Sequence, residues 1–309
     1  MRIRQIKAST LRKYRTFTTQ LLAFCGSRGY ARMRQLSVGD MDLFYQSWED
    51  GIRARAKKLE RLRAFVKFCL KRKWLAENLV EDIETPVGSS TATDRLPFTD
   101  EELEAMYRAC EGLGDVRWKS HLGEGAWSGE DVKDFILVLV YTGLRISDVA
   151  TFDLQSRLGD GNQIFLRMHK TGKPWFTWIP DWLMARLQVR RQKVGNCIFA
   201  VGKSTRLETV TDLWRRRILR IFELAQPSVD FKQKPVPHRF RYTFCRILLQ
   251  RGVPVADVAE LIGDTEDIVY KHYAKWVPER QRRLTEILRA AFEDRPRLVA
   301  LDSRNARVG

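Results

Sequence analysis

The stretch from Pro237 to Trp276, PHRFRYTFCRILLQRGVPVADVAELIGDTEDIVYKHYAKW, constrains the fold of this chain more than any other part of it. His238 and Arg241 stand three apart, which on a helix places them on one face in adjacent turns. The apolar run Phe244 to Leu249 continues that helix, Gly252 stops it, and Pro254, suited to a first helical turn, restarts it. A third segment, Asp267 to Trp276, carries Tyr270, His272 and Tyr273. The pattern predicts helix, tight turn, helix, turn, helix. It gathers a histidine, an arginine and a tyrosine where all three can reach a single phosphate group.

Charge supports an anionic partner. The chain carries a net +17 over 309 residues, and counterion release makes broad basic surfaces favourable on nucleic acid. With 44% apolar residues, that length suffices for two domains, each with its own core. The N-terminal MRIRQIKAST interleaves apolar with polar residues and lacks the apolar core of an export signal. The longest apolar run, Phe135 to Tyr141, is too short to span a membrane, so no membrane partner is expected. Cys25, Cys69, Cys110, Cys197 and Cys245 are scattered without C-x-x-C spacing, as expected for reduced, packed thiols in a cytoplasmic, nucleoid-associated protein. No metal-ligand spacing is present, and no cofactor is expected.

Residues 1–86 predict a small helical domain. Leu11 to Cys25, Met41 to Trp48 and Ala54 to Leu70 show apolar residues near helical spacing. Basic residues there number 19 against 9 acidic, about +10. The run from Arg53 through Arg55, Lys57, Lys58, Arg61 and Arg63 to Lys73 lies beside an apolar face of Leu59, Leu62, Phe65, Val66, Phe68 and Leu70. It therefore reads as a helix that can contact phosphate backbone, or as a solvated face. Thr85 to Pro97 is rich in Pro, Gly, Ser and Thr, which places a linker at 87–98. Thr99 and Glu102 have capping-box spacing and open a second domain over 99–294, followed by a loose tail at 295–309.

In that second domain, Asp134 to Tyr141 predicts a buried helix ending at Gly143, with Arg145 opening a short helix. A planar guanidinium can give two parallel hydrogen bonds to a phosphoryl group. Asp148, three residues on, either holds Arg145 or is an ordinary surface pair. Gln163 to Met168 and Trp175 to Ile179 predict two strands joined by Lys170-Thr171-Gly172-Lys173, a hairpin with Lys170 near its tip. Pro278 to Phe292 reads as an amphipathic helix with Leu284, Ile287, Leu288 and Phe292 on one stripe.

Four of these motifs, in order, resemble the tyrosine recombinase (phage integrase) family. They are Thr142-Gly143-Leu144-Arg145, the hairpin Lys170, His238-x-x-Arg241, and Leu261-Ile262-Gly263 followed by Tyr273. The resemblance implies a mainly α fold with a small β-hairpin, in two domains. An N-terminal helical core-binding (SAM-like) domain precedes a C-terminal catalytic domain. It also implies a site-specific recombinase, most readily the integrase of a mobile element, that cuts and rejoins double-stranded DNA through a 3′-phosphotyrosyl link. Arg145 and Arg241 then neutralise the phosphate, His238 serves as base, and Lys170, with Lys173 competing, protonates the departing 5′ oxygen. The family's nucleophile stands nine residues after the position that follows Leu-x-Gly, which selects Tyr273 over Tyr270. Tyr270 is left as a packing residue and His272 as structural.

The family usually has histidine or tryptophan where this chain has Asp264. An ionised aspartate only accepts hydrogen bonds and repels a phosphate. Asp264 therefore either turns to a backbone amide or an arginine, or slows the site. The resemblance further implies four protomers on two DNA sites, coupled through the C-terminal helix, with accessory DNA-bending proteins in some members. The absence of an arm-binding segment before residue 1 suggests a simple core site. Two alternatives stay open: a catalytically weak or retired DNA-binding protein of the same fold, and a type IB topoisomerase-like activity.

Overall fold

The computed structural model describes residues 8–86, 96–120, 123–154, 160–172, 174–201 and 206–271, with a few further positions between 282 and 289. It is mainly helical with two small antiparallel hairpins, and it divides into two compact units, Met1–Thr93 and Asp94–Gly309. No helix among the described residues is long and apolar enough to cross a membrane.

The first unit holds α1 (Ala8–Ser27), α2 (Val38–Gln46) and α3 (Ile52–Lys71). Ser37 and Asp40 form a capping box that starts α2, satisfying two backbone donors that a helix start leaves open. Phe44 of α2 is the hub of the core, edge-on to Phe17 at 6.3 Å and to Trp48 at 5.4 Å. Helix α3 contributes Leu59, Leu62, Val66 and Cys69, a spacing that keeps one stripe inward. Phe65 and Leu70 pack against that core as expected, but Phe68 does not. Phe68 is turned off the face, 44% exposed and beneath the Arg72 guanidinium, because Cys69 takes the inward position. Arg53, Lys57, Lys67 and Lys71 lie on the exposed side of the same helix.

The second unit begins with α4 (Asp100–Glu111), where Thr99 and Glu102 form the expected capping box. A hairpin of β1 (Val116–Ser120) and β2 (Gly123–Trp127) follows, unforeseen from the sequence. Helix α5 (Gly129–Thr142) begins five residues earlier than its apolar run suggested, because Ser128 and Asp131 cap it. It is the buried axis of the unit, packed against α4 and against α8 (Leu207–Ala225) and α9 (Arg239–Gln250). Phe135 stacks on Trp214 with centroids 4.3 Å apart. Helix α6 (Ile146–Ala150) leads to β3 (Gln163–Arg167) and β4 (Pro174–Trp178), and α7 (Asp181–Val194) follows. Strand alternation buries Ile164, Leu166 and Trp175 and leaves Phe165, Phe176 and Trp178 outward. The Trp175 indole N–H donates to the Leu261 carbonyl, tying this hairpin to α10 (Val255–Ile262). Helix α11 (Glu266–Val269) closes the described core.

Candidate active site

Two helix ends create the centre of the site. At the end of α5, Gly143 turns left-handed (φ 63°), and Arg145 leaves that turn in extended conformation to open α6. Only glycine serves there, since a Cβ would also meet the Phe244 ring at 2.5 Å. At the end of α10, Gly263 (φ 60°) makes the second left-handed cap. Its N–H reaches the Glu260 carbonyl and that of Asp264 reaches Ala259, the paired bonds of a Schellman motif. That cap aims the Asp264 side chain back toward α5.

Arg241, in the first turn of α9, joins these two ends. One terminal nitrogen donates to the Gly143 carbonyl at 2.8 Å; the other donates to the Ile262 carbonyl at 2.5 Å and to Asp264 Oδ2 at 2.7 Å. Both carbonyls lie at helix C-termini, where backbone acceptors lack intrahelical partners and the dipole favours a cation. The Arg241 side chain is only 1% exposed. Its Nε is buried and finds no acceptor among the described residues. Arg145 approaches from the other side, donating to the same Asp264 Oδ2 at 2.9 Å and to the Met168 sulfur at 3.4 Å.

Arg145, Arg241 and Asp264 are thus brought into direct contact, two guanidinium groups converging on one oxygen. Of the outcomes foreseen for Asp264, the structure shows the turn toward arginine. Two cations against one anion leave the cluster with a formal +1. The arrangement is a cradle for an oxyanion, and phosphoryl oxygens match the charge and donor geometry that the carboxylate now meets.

Lys170 is exposed in the turn after β3, and that turn is pinned from α6. Asp148 is 1% exposed and accepts the His169 N–H at 2.9 Å, while Thr151 Oγ1 lies 2.6 Å from His169 Nε2. Asp148 therefore holds the lysine turn. Neither expectation for it, Arg145 partner or surface pair, describes its bond. His238 stands at the N-cap position of α9 without a capping side-chain bond, its side chain exposed and its ring edge-on to Tyr242 at 5.5 Å. Tyr270 is 45% exposed, which corrects its expected packing role; Val269 beside it takes the buried place. Tyr273, Lys173 and His272 lie outside the described residues.

A buried pair that sequence reasoning missed sets the start of α9. Arg239 and Glu102, each 1% exposed, meet at 2.8 Å, and Arg239 also donates to the carbonyls of Leu96, Pro97 and Gln233. Burial lowers the Arg239 pKa even so, with Glu102 acting against that shift. Its signal was present in part, because the Glu102 of the capping box was read only as a cap. Cys245, in the next turn, is buried and its thiol is pushed up to about 12 by burial, so it is no nucleophile at neutral pH. No cluster among the described residues has the His, Cys, Asp and Glu needed for a metal ion.

Comparison with known proteins gives the family and the fold. The model of the phage integrase family matches residues 98–280. The tyrosine recombinase XerC of Bacillus pumilus (strain SAFR-032) is 25% identical over 291 residues, covering 87% of each chain. Among solved structures, a lambda integrase dimer bound to a COC′ core site superposes with a TM-score of 0.65 at 17% identity, covering 87% of this chain and 89% of that one. A lambda integrase tetramer bound to a Holliday junction gives 0.62 at 16% identity, over 85% and 70%.

Proposed function

The chain belongs to the phage integrase family, the tyrosine recombinases, and from that membership we propose that it cuts and rejoins double-stranded DNA at a specific site through a 3′-phosphotyrosyl intermediate. The observation that supports this most is the convergence of Arg145 and Arg241 on one anionic oxygen. A phosphodiester repels nucleophiles. Attack on phosphorus adds charge to the equatorial oxygens, which a preorganised pair of guanidiniums stabilises without reorganisation.

In this reading the Tyr273 phenol attacks phosphorus while His238 accepts its proton. The P–O5′ bond breaks, and Lys170 gives the 5′ oxygen a proton. The DNA 3′ phosphate is then esterified to the tyrosine, and a 5′ hydroxyl from another strand reverses the step with no external energy source. Asp148 positions the lysine turn. Helix α3, with Arg53, Lys57, Lys67 and Lys71 exposed, contacts the DNA backbone and adds affinity that carries no sequence information. Assembly of four protomers follows the multimeric lambda integrase complexes to which the fold is similar.

Integration of a mobile element and chromosomal recombination of the XerC kind are both served by this chemistry. The similarity to XerC over most of the chain favours the second as strongly as the motif set favours the first. A retired DNA-binding protein is the one other reading with an observation behind it, namely the carboxylate seated in the cradle.

A nicked suicide duplex carrying the repeats that flank the gene tests the proposal. The expected result is a covalent protein–DNA complex that disappears in Tyr273→Phe and forms roughly 10²–10³ times more slowly in Arg145→Ala. A wild-type chain that binds this duplex and never becomes attached supports the retired reading.

A further inference from the structure

We propose that Asp264 is a displaceable occupant of the phosphate cradle, holding Arg145 and Arg241 together while the site is empty and yielding its place to a phosphate oxygen when DNA is seated. The inference rests on the cradle being the scissile-phosphate site, and it adds how that site is kept and opened.

The geometry assigns which partner moves. Arg241 is fixed, because its terminal nitrogens also bond the Gly143 and Ile262 carbonyls and its side chain is 1% exposed. The Asp264 backbone is fixed as well by the α10 cap, but its side chain is 19% exposed and among the described residues its carboxylate bonds only the two arginines. Oδ2 stands where both guanidiniums converge, and two anionic oxygens cannot share that point. Binding of phosphate therefore requires the carboxylate to leave.

A second observation points to an anion with more oxygens than Asp264 offers there. Arg241 Nε is a buried donor with no acceptor among the described residues, although unmet buried donors are costly. A tetrahedral oxyanion can put one oxygen at the Oδ2 position and present others to donors that Oδ2 cannot serve. The seated carboxylate also halves the formal charge of the cradle, from +2 to +1. Free anions are then poor competitors, and a phosphate held in place by the rest of a DNA duplex is favoured over one that arrives alone.

Inorganic sulfate is the probe, titrated calorimetrically into the full-length chain at constant ionic strength set with chloride. If the carboxylate occupies the cradle most of the time, the apparent affinity of the wild type is reduced by the fraction of open sites. Asp264→Asn should bind sulfate about tenfold more tightly than wild type, and adding Arg145→Gln should remove the gain. Asp264→Ser carries the same expectation with a smaller neutral side chain.

Equal sulfate affinity in wild type and both neutral variants overturns the proposal, as does a gain that survives Arg145→Gln. A chain that folds with neither neutral residue also overturns it, since a displaceable group cannot be indispensable to the fold. No DNA is cut in this experiment. A chain that passes it and still fails to form a covalent DNA complex loses the recombinase reading alone, and one that cleaves DNA but fails here loses only the role given to Asp264.

Discussion

Arg241 and Arg145 look equivalent in a motif and differ in the structure. Arg241 satisfies two helix-terminal carbonyls and balances Asp264 inside the protein, whereas Arg145 has a 13% exposed side chain and leans on Met168. Arg241→Ala is expected to lower stability by about 3–5 kcal/mol, because it breaks a buried pair and orphans acceptors. Arg145→Ala should lower it by no more than about 1.5–3 kcal/mol. Urea unfolding of the two variants distinguishes them. Equal losses would contradict the larger structural share given to Arg241. The arginines themselves were legible from spacing and motif, since H-x-x-R fixes a helical face. Their shared partner was legible only as an alternative, because contact between residues 145 and 264 depends on where two helices end. The role of Asp148 was misread for the same reason: its bond is to a backbone amide 21 residues away, on an element that sequence spacing does not bring near.

Among the elements, caps were the clearest signals. Thr99 with Glu102 opened α4 as spacing predicted, and Gly143 and Gly263 ended α5 and α10. Gly263 also admits Met168, whose sulfur would lie 2.7 Å from any Cβ there. What spacing could not show was that Glu102 continues inward to Arg239. Glu102→Ala should cost about 3–5 kcal/mol by leaving a buried guanidinium unpaired, read as a fall in the urea midpoint. A loss under about 1 kcal/mol would mean that the cap is its whole contribution.

In the first unit, hydrogen bonds from the Ser37 hydroxyl and N–H hold the Asp40 carboxyl below the usual aspartate range. A depressed folded value means that its contribution is complete above the ordinary pKa and is lost as pH falls through the lower folded one. Wild type should therefore lose stability on acidification over that window more steeply than Asp40→Asn, followed by thermal unfolding. Parallel profiles would contradict the assignment. The β1–β2 hairpin, by contrast, escaped prediction because both strands are only five residues long and β2, with two glycines, has little alternation to read.

At the scale of the whole molecule, the chain forms two compact units, and the residues that form the cradle come from three helix ends of the second unit alone. Fold class and motif order were readable because each motif coincides with a helix terminus or a hairpin turn, features that local sequence encodes. The balance of charge at the cradle was not, because it is set by packing.

The central claim is that the cradle presents a DNA phosphate to one phenol. Its most direct test is to digest the trapped covalent complex with trypsin and nuclease and to locate the attached nucleotide by mass spectrometry. The account predicts a single modified peptide, with the nucleotide joined through its 3′ phosphate to Tyr273. Attachment at Tyr270, or through a 5′ phosphate, would contradict it.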